Sequence, residues 1–225
     1  MFICVTRTKV SQDELKKLLT AALGYSYDKK YCDRDYSNDV RGFTNQWIIE
    51  FNNILNVLNI NINVAKVIVV GIGNGHEGSY LYKDITDLQI IDIAPESLAC
   101  AKKILPRATA YNVNAQELSP IENASRDCYV SLMTYQSSYF DIDKALREAF
   151  RVLKINGSIV LSISCGYMKD NNIYIDGMAS HNGAVDRNKP YNIIEKIRKR
   201  MITLNFSFIG VRSTPSEIFI YGKKG

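Results

Sequence analysis

No stretch of the 225-residue chain approaches the roughly 18 consecutive apolar residues that a membrane span requires. The first ten residues, MFICVTRTKV, carry no long apolar core either, so neither a signal peptide nor a transmembrane helix is expected. Cysteine is sparse and scattered: Cys4, Cys32, Cys100, Cys128 and Cys165 include no CxxC pair. An odd, dispersed set without a secretion signal reads as reduced thiols, and neither a zinc site nor any other metal site is expected. The expected compartment is the cytoplasm. Repeats and low-complexity linkers are missing, which leaves no sign of a second independent domain. Only two histidines are present, His76 and His181.

What is there is ordinary for a soluble globular protein: 46% hydrophobic and 23% charged residues. A chain of this length buries one sizeable core, so one domain with an appendage is the natural organisation. The formal charge of +5 invites a nucleic-acid reading, with basic residues at Lys16-Lys17, Lys29-Lys30, Lys102-Lys103 and around Lys196 to Arg200. A phosphate footprint needs a denser patch, and the last run lies on a predicted helix as a solvated face. Nucleic acid is therefore not the expected partner.

Residues 1–62 read as a helical N-terminal segment. Ser11 to Glu14 offer a cap and first-turn acids ahead of LKKLLTAALG, which Gly24 closes. A tyrosine-rich link follows. A second helix, about Asp39 to Asn59, spaces Phe43, Trp47, Phe51, Ile54, Leu55 and Leu58 at three and four. From residue 63 onward, strands and helices alternate. Strands are expected at Lys66–Val70, Leu88–Ile91, Ala108–Asn112, Cys128–Leu132 and Ser158–Ile163, then a hairpin of Ser207–Arg212 and Glu217–Tyr221. Helices are expected after the first strand to about Lys83, at Pro95 to Lys103, at Asp143–Leu153 closed by Lys154 to Gly157, and at Tyr191–Leu204. A long loop is expected between Cys165 and Pro190. The pattern predicts an α/β fold: a Rossmann-like, seven-stranded, mostly parallel sheet with an antiparallel C-terminal strand, helices on both faces and a helical N-terminal lid.

The centre of the pattern is VIVVGIGNGHEG, Val67 to Gly78. Four β-branched residues fit a strand buried on both faces, and the glycines after it permit a tight turn and close backbone approach to a ligand. A helix opening near His76 would point its N-terminus at the same place. Strand, glycine turn and helix form the nucleotide-cofactor end of an α/β sheet. Two frames compete. Gly73, Gly75 and Gly78 match the dinucleotide pattern GxGxxG. Gly71, Gly73 and Gly75 are the set that ends the strand.

The segments downstream decide between them. VIVVGIGNG, LQIIDIAPESLACAKKI, AYNVNAQELSPIENASRDCYVSL and ALREAFRVLKINGSIVLSI together resemble the class I S-adenosylmethionine-dependent methyltransferases. The likeness extends to the small-molecule branch that includes the ubiquinone-biosynthesis methyltransferases, and covers roughly Val64 to Ile163. It implies S-adenosylmethionine as cofactor and S-adenosylhomocysteine as product. It also implies that Gly71, Gly73 and Gly75 line the methionine and ribose portion, and that Asp92 accepts hydrogen bonds from both ribose hydroxyls. A carboxylate suits a vicinal diol because its oxygens only accept; the competing role for Asp92 is a helix cap before Pro95. Ile93 would pack on the adenine, Asn114 and Ala115 would read its edge, and Ser131 would lie beside the sulfonium. Two positions depart from the family pattern. Val69 stands where an acid usually helps hold the methionyl ammonium, so Glu77 or a strand-four backbone carbonyl is expected to replace it. Asn114 stands where an aspartate is usual. The first departure also leaves open a cofactor-binding protein that has lost turnover.

The acceptor is harder to read. An activated sulfonium methyl needs mainly alignment and desolvation of an acceptor lone pair, with a base only for groups that must lose a proton. The Asp/Asn-Pro-Pro-aromatic motif of nucleobase amino-methyltransferases is missing, and Leu132 to Tyr139 read LMTYQSSY instead. The expected acceptor is a small molecule methylated at N or O, with an RNA- or protein-modifying enzyme as the alternative. His181 and Tyr27 are the candidate catalytic residues. Tyr27, Tyr31, Tyr135, Tyr139 and His181 are candidates for lining the acceptor site, and Tyr36 and Arg41 are candidates for reaching the cofactor from the lid. Whether the chain is a monomer or a homodimer is open.

Overall fold

The computed structural model describes residues 45–136, 141–164, 167–169, 172–174, 189–214 and 217–225. The elements are α1 (Gln46–Val57), β1 (Lys66–Val70), α2 (Gly78–Leu81), β2 (Asp87–Asp92), α3 (Pro95–Ile104), β3 (Thr109–Asn112) and β4 (Arg126–Leu132). They continue with α4 (Ile142–Val152), β5 (Leu153–Ser164), β6 (Tyr167–Lys169), β7 (Asn172–Tyr174), α5 (Lys189–Thr203), β8 (Phe206–Ser213) and β9 (Glu217–Lys224).

Seven strands form one sheet in the order β3-β2-β1-β4-β5-β9-β8. The pairs among β1 to β5 are parallel, while β9 runs antiparallel to both β5 and β8. The central strands are buried on both faces, which is why they read as unbroken apolar runs rather than alternating ones. Ile68, Val70, Tyr129, Leu161 and Ile220 face α4 and α5, meeting Leu146, Ala149, Ile197 and Met201. Val67, Val69, Val130, Val160 and Phe219 face the opposite layer, meeting Trp47, Phe51, Leu98 and Ala101. The stripe of α1 is buried as its spacing predicts: Trp47 and Phe51 are each 1% exposed and Ile54 is fully covered. Such side chains contribute about 1.5–3 kcal/mol each on burial. Among the described residues, no helix is long and apolar enough to cross a membrane.

Three local expectations need correction. The helix after the glycine turn is a single turn, Gly78–Leu81, because Glu77 and the residues before it remain in turn conformation and Gly78 packs closely on Leu105. It has too few aligned peptides for a substantial dipole. The end of α4 is not a glycine stop either. Leu153 passes directly from the helix into β5 with φ −72° and ψ 139°. The Asn156-Gly157 pair instead lies where the β4–β5 register shifts, with Asn156 at φ 62°. Finally, the long loop after β5 contains a two-stranded hairpin, β6 with β7.

Candidate cofactor and active site

The functional end of the sheet is where β1, β2 and β4 finish. Gly71, Gly73 and Gly75 have φ values of +76°, +55° and +86°, a region disfavoured for residues with a Cβ. Gly78 does not, so the strand-ending set is the turn and the GxGxxG frame is a coincidence of spacing. A Cβ on each glycine would meet different surroundings. On Gly71 it would overlap the Thr134 side chain, and on Gly75 it would lie 2.7 Å from the Ala101 backbone. On Gly73 it would meet no atom of the described residues within 4 Å. Gly71 and Gly75 therefore serve packing, and Gly73 is the member whose missing side chain leaves room for a ligand.

Asp92 closes the other side of that room. It ends β2, 9% exposed, with Oδ2 accepting from Gly73 N–H at 2.7 Å and Oδ1 accepting from Ala94 N–H at 2.9 Å. Ala94 rather than Asp92 is the N-cap of α3, and Asp92 stands two residues before it. Asn112, opposite Asp92 in the β2–β3 register, donates its amide to the Asp92 carbonyl at 2.9 Å and steadies the strand end. The Asp92 oxygens only accept, and each can take more than one hydrogen bond, which suits a diol. A half-buried Ile93 follows. An open glycine beside an acceptor-only carboxylate fits a ribosyl ligand.

Other expected contacts are placed differently. Ser131 is fully buried and donates to the Val70 carbonyl at 2.7 Å, so its side chain ties β4 to β1 and does not reach a ligand. Tyr135, expected at the acceptor site, is 1% exposed in the α4-side core with its hydroxyl 3.2 Å from that of Tyr129. Burial pushes its phenol well above the ordinary tyrosine range. The Asn114 amide oxygen accepts from Gln116 N–H at 2.9 Å, shaping its own loop, and the Ala115 side chain joins the core. A reader of adenine there would be backbone. Val69 is 2% exposed among apolar neighbours, so nothing at its position can meet an ammonium group. Glu77 is half-buried at the N-terminus of α2. Tyr27, Tyr31, Tyr36, Arg41, Tyr139 and His181 lie outside the described residues.

Two contributors escaped sequence reasoning. Thr134 donates to the Leu132 carbonyl at 3.2 Å and leans on the Val70 carbonyl at 3.4 Å, filling the space Gly71 leaves. Arg151 pins the loop that carries Asn114 and Ala115. Its guanidinium donates to the Leu118 and Ile121 carbonyls at 2.8 and 2.7 Å and pairs with Glu148, whose carboxylate accepts from Leu118 N–H at 2.6 Å. The Arg151 partnership holds the Glu148 carboxyl below the usual range. The REAFR segment could have signalled this, since its Glu and Arg are three apart on one helix face.

The basic run of α5 is partly neutralised by its own surroundings, Arg198 with Glu195 at 3.0 Å and Arg200 with Asp143 at 3.5 Å.

A methyltransferase-domain family model matches residues 68–161, the span from the middle of β1 through most of β5. Over that span the chain is similar to a methyltransferase domain, and its sheet has the fold of S-adenosylmethionine-dependent methyltransferases. Solved methyltransferases share its fold at low identity. One from Aquifex aeolicus is 14% identical with a TM-score of 0.60, covering 90% of this chain and 98% of its own. One from Mesorhizobium loti is 13% identical with a TM-score of 0.56, covering 76% and 96%. The geranyl diphosphate C-methyltransferase of Streptomyces coelicolor, solved with Mg2+, geranyl diphosphate and S-adenosylhomocysteine, is 9% identical with a TM-score of 0.57 and 79% coverage of each chain. No curated protein matches the sequence significantly.

Proposed function

We propose that this methyltransferase transfers the methyl group of S-adenosylmethionine to N or O of a small-molecule acceptor and releases S-adenosylhomocysteine. The observation that carries the donor half is the pairing of Gly73 with Asp92. Backbone and carboxylate are joined by a 2.7 Å hydrogen bond beside space that no side chain of the described residues fills. In this reading Asp92 holds the ribose hydroxyls, Ile93 covers the adenine, and the Asn114–Ala115 backbone meets the ring edge. Glu77, or a carbonyl in the turn after β4, balances the methionyl ammonium in place of an acid at Val69. The bound sulfonium supplies an activated methyl group, and the chain's task is to align an acceptor and exclude water. Tyr27, Tyr31, Tyr139 and His181 are the proposed acceptor contacts, with His181 or Tyr27 as base where the acceptor must lose a proton. Tyr36 and Arg41 are proposed to close over the cofactor.

The small-molecule reading is supported by the paired charges of α5, which weaken the case for a phosphate footprint, and by a fold neighbour, the geranyl diphosphate C-methyltransferase, solved with a small diphosphate bound. The test is calorimetry with S-adenosylmethionine, S-adenosylhomocysteine and NAD, followed by transfer of labelled methyl to panels of amines, alcohols, total RNA and protein. Both sulfur nucleosides should bind and a metabolite should accept the label. Binding of NAD alone, or label only in RNA or protein, would overturn it.

A further inference from the structure

A second polar cluster lies at the same end of the sheet, two strands beyond β1, around residues to which no role has yet been given. Glu217 opens β9, opposite Ser164 of β5, and is fully buried. It shares a sheet face with Phe219, as Ser162 does with Val160, so both carboxylate and hydroxyl lie on the α1 side. Ser162 donates its hydroxyl proton to Glu217 Oε2 at 2.5 Å. The same hydroxyl oxygen accepts from Met133 N–H at 3.2 Å, alongside the Ser162 carbonyl at 2.9 Å. One turn of chain onward, the Gln136 amide oxygen accepts from Ser164 N–H at 2.5 Å.

The geometry has a direction. A serine hydroxyl has one proton, and committing it to Glu217 leaves its lone pairs for the Met133 N–H. Met133 needs that support, because it is a non-glycine residue at φ +57°, a conformation that costs about 1–2 kcal/mol and persists only where the surroundings enforce it. It is the first residue after β4. Its neighbour Thr134 fills the gap at Gly71, so the turn is tied to β1 on one side and to β5 on the other.

We infer that Glu217 is a positioning residue for methyl transfer, acting through Ser162 to fix the backbone of Met133 and hence the turn between the cofactor's glycine loop and the end of β5. The inference rests on the methyl-transfer reading of this end of the sheet. An apolar side chain at position 217 leaves the Ser162 hydroxyl without this acceptor and free to rotate away from Met133. Glutamine keeps an acceptor oxygen there without the charge.

The test compares wild type with Ser162→Ala, Glu217→Leu and Glu217→Gln by amide hydrogen exchange, calorimetry with S-adenosylhomocysteine, and melting temperature. Ser162→Ala and Glu217→Leu should each speed exchange at Met133 by at least about fivefold, while Glu217→Gln stays within about twofold of wild type. Ser162→Ala should also weaken S-adenosylhomocysteine by about fivefold or more while Glu217→Gln does not, a split that a purely structural role would not give. If Glu217→Leu does not fold, Ser162→Ala and Glu217→Gln carry the comparison. An unchanged Met133 amide in Ser162→Ala, a Glu217→Gln protein as fast-exchanging as Ser162→Ala, or an unaltered affinity overturns the proposal. Wild-type protein that fails to bind S-adenosylhomocysteine sinks the reading of the site instead, and exchange at Met133 still decides the positioning role.

Discussion

Three glycines with the same backbone handedness should respond differently to the same methyl group. At Gly71 an added Cβ overlaps Thr134, and at Gly75 it presses on the Ala101 backbone of α3. Gly71→Ala and Gly75→Ala should therefore lose stability from both strain and overpacking, about 2–4 kcal/mol in denaturant unfolding. At Gly73 only the backbone strain remains, about 1–2 kcal/mol, because no atom of the described residues lies within 4 Å. Gly73→Ala should fold, yet bind S-adenosylhomocysteine at least about tenfold more weakly, because the methyl group enters the ligand's space. Calorimetry alongside thermal melting separates the two effects. On the proposed reading Asp92→Ala removes charge-assisted hydrogen bonds to the ribose and should cost about 2–4 kcal/mol of cofactor affinity. An unchanged affinity would remove Asp92 from the site.

The helix α4 is where the family-like segment meets the cofactor loop. Asp141 caps its start, accepting from Asp143 and Lys144 N–H at 3.1 and 3.2 Å, and its inner face is apolar throughout. On the flank, Glu148 and Arg151 grip the loop of residues 114–123. Arg151→Ala should cost about 2 kcal/mol at neutral pH, since two carbonyls and a carboxylate lose a charged donor. The Glu148 carboxyl titrates below its ordinary 4.5 in the folded protein because Arg151 favours its ionised form. That stabilisation is fully present above pH 4.5 and is lost as pH falls through the depressed value. Wild type and Arg151→Ala should therefore differ most in urea unfolding at neutral pH and converge in acid. Elements like α4 were legible because a 3.6-residue period and a cap are local signals. The end of β2 at Asp92 was legible for the same reason, closing a short apolar run. Glu217 was not, because its meaning depends on Ser162, 55 residues away. The true end of α4 was hidden likewise, since the side chain that closes it comes from the last strand.

Strand β9 joins the two ends of the molecule, and its ends do separate jobs. Glu217 sits with the cofactor turn, whereas Lys224 sits opposite Phe206 at the far edge. There its ammonium donates to the Phe150 and Leu153 carbonyls at 2.7 and 2.8 Å and stands 4.3 Å over the Phe150 ring. A cation on the last carbonyls of α4 satisfies groups the helix cannot bond internally and complements its dipole. Burial pulls the Lys224 pKa down, so desolvation opposes the charge that these contacts favour. Methionine at this position keeps the stem's packing and removes the donor. Lys224→Met should cost about 2 kcal/mol, leaving two carbonyls without this partner. For a chain of this size that is a fall of about 4–8 °C in melting temperature. Affinity for S-adenosylhomocysteine should not change, because the sheet separates Lys224 from the glycine turn. Ser162→Ala, at the other end of the β5–β9 pair, should weaken the ligand. Measuring both variants by calorimetry tests whether binding belongs to one end of that pair. Loss of affinity in Lys224→Met would show that it does not.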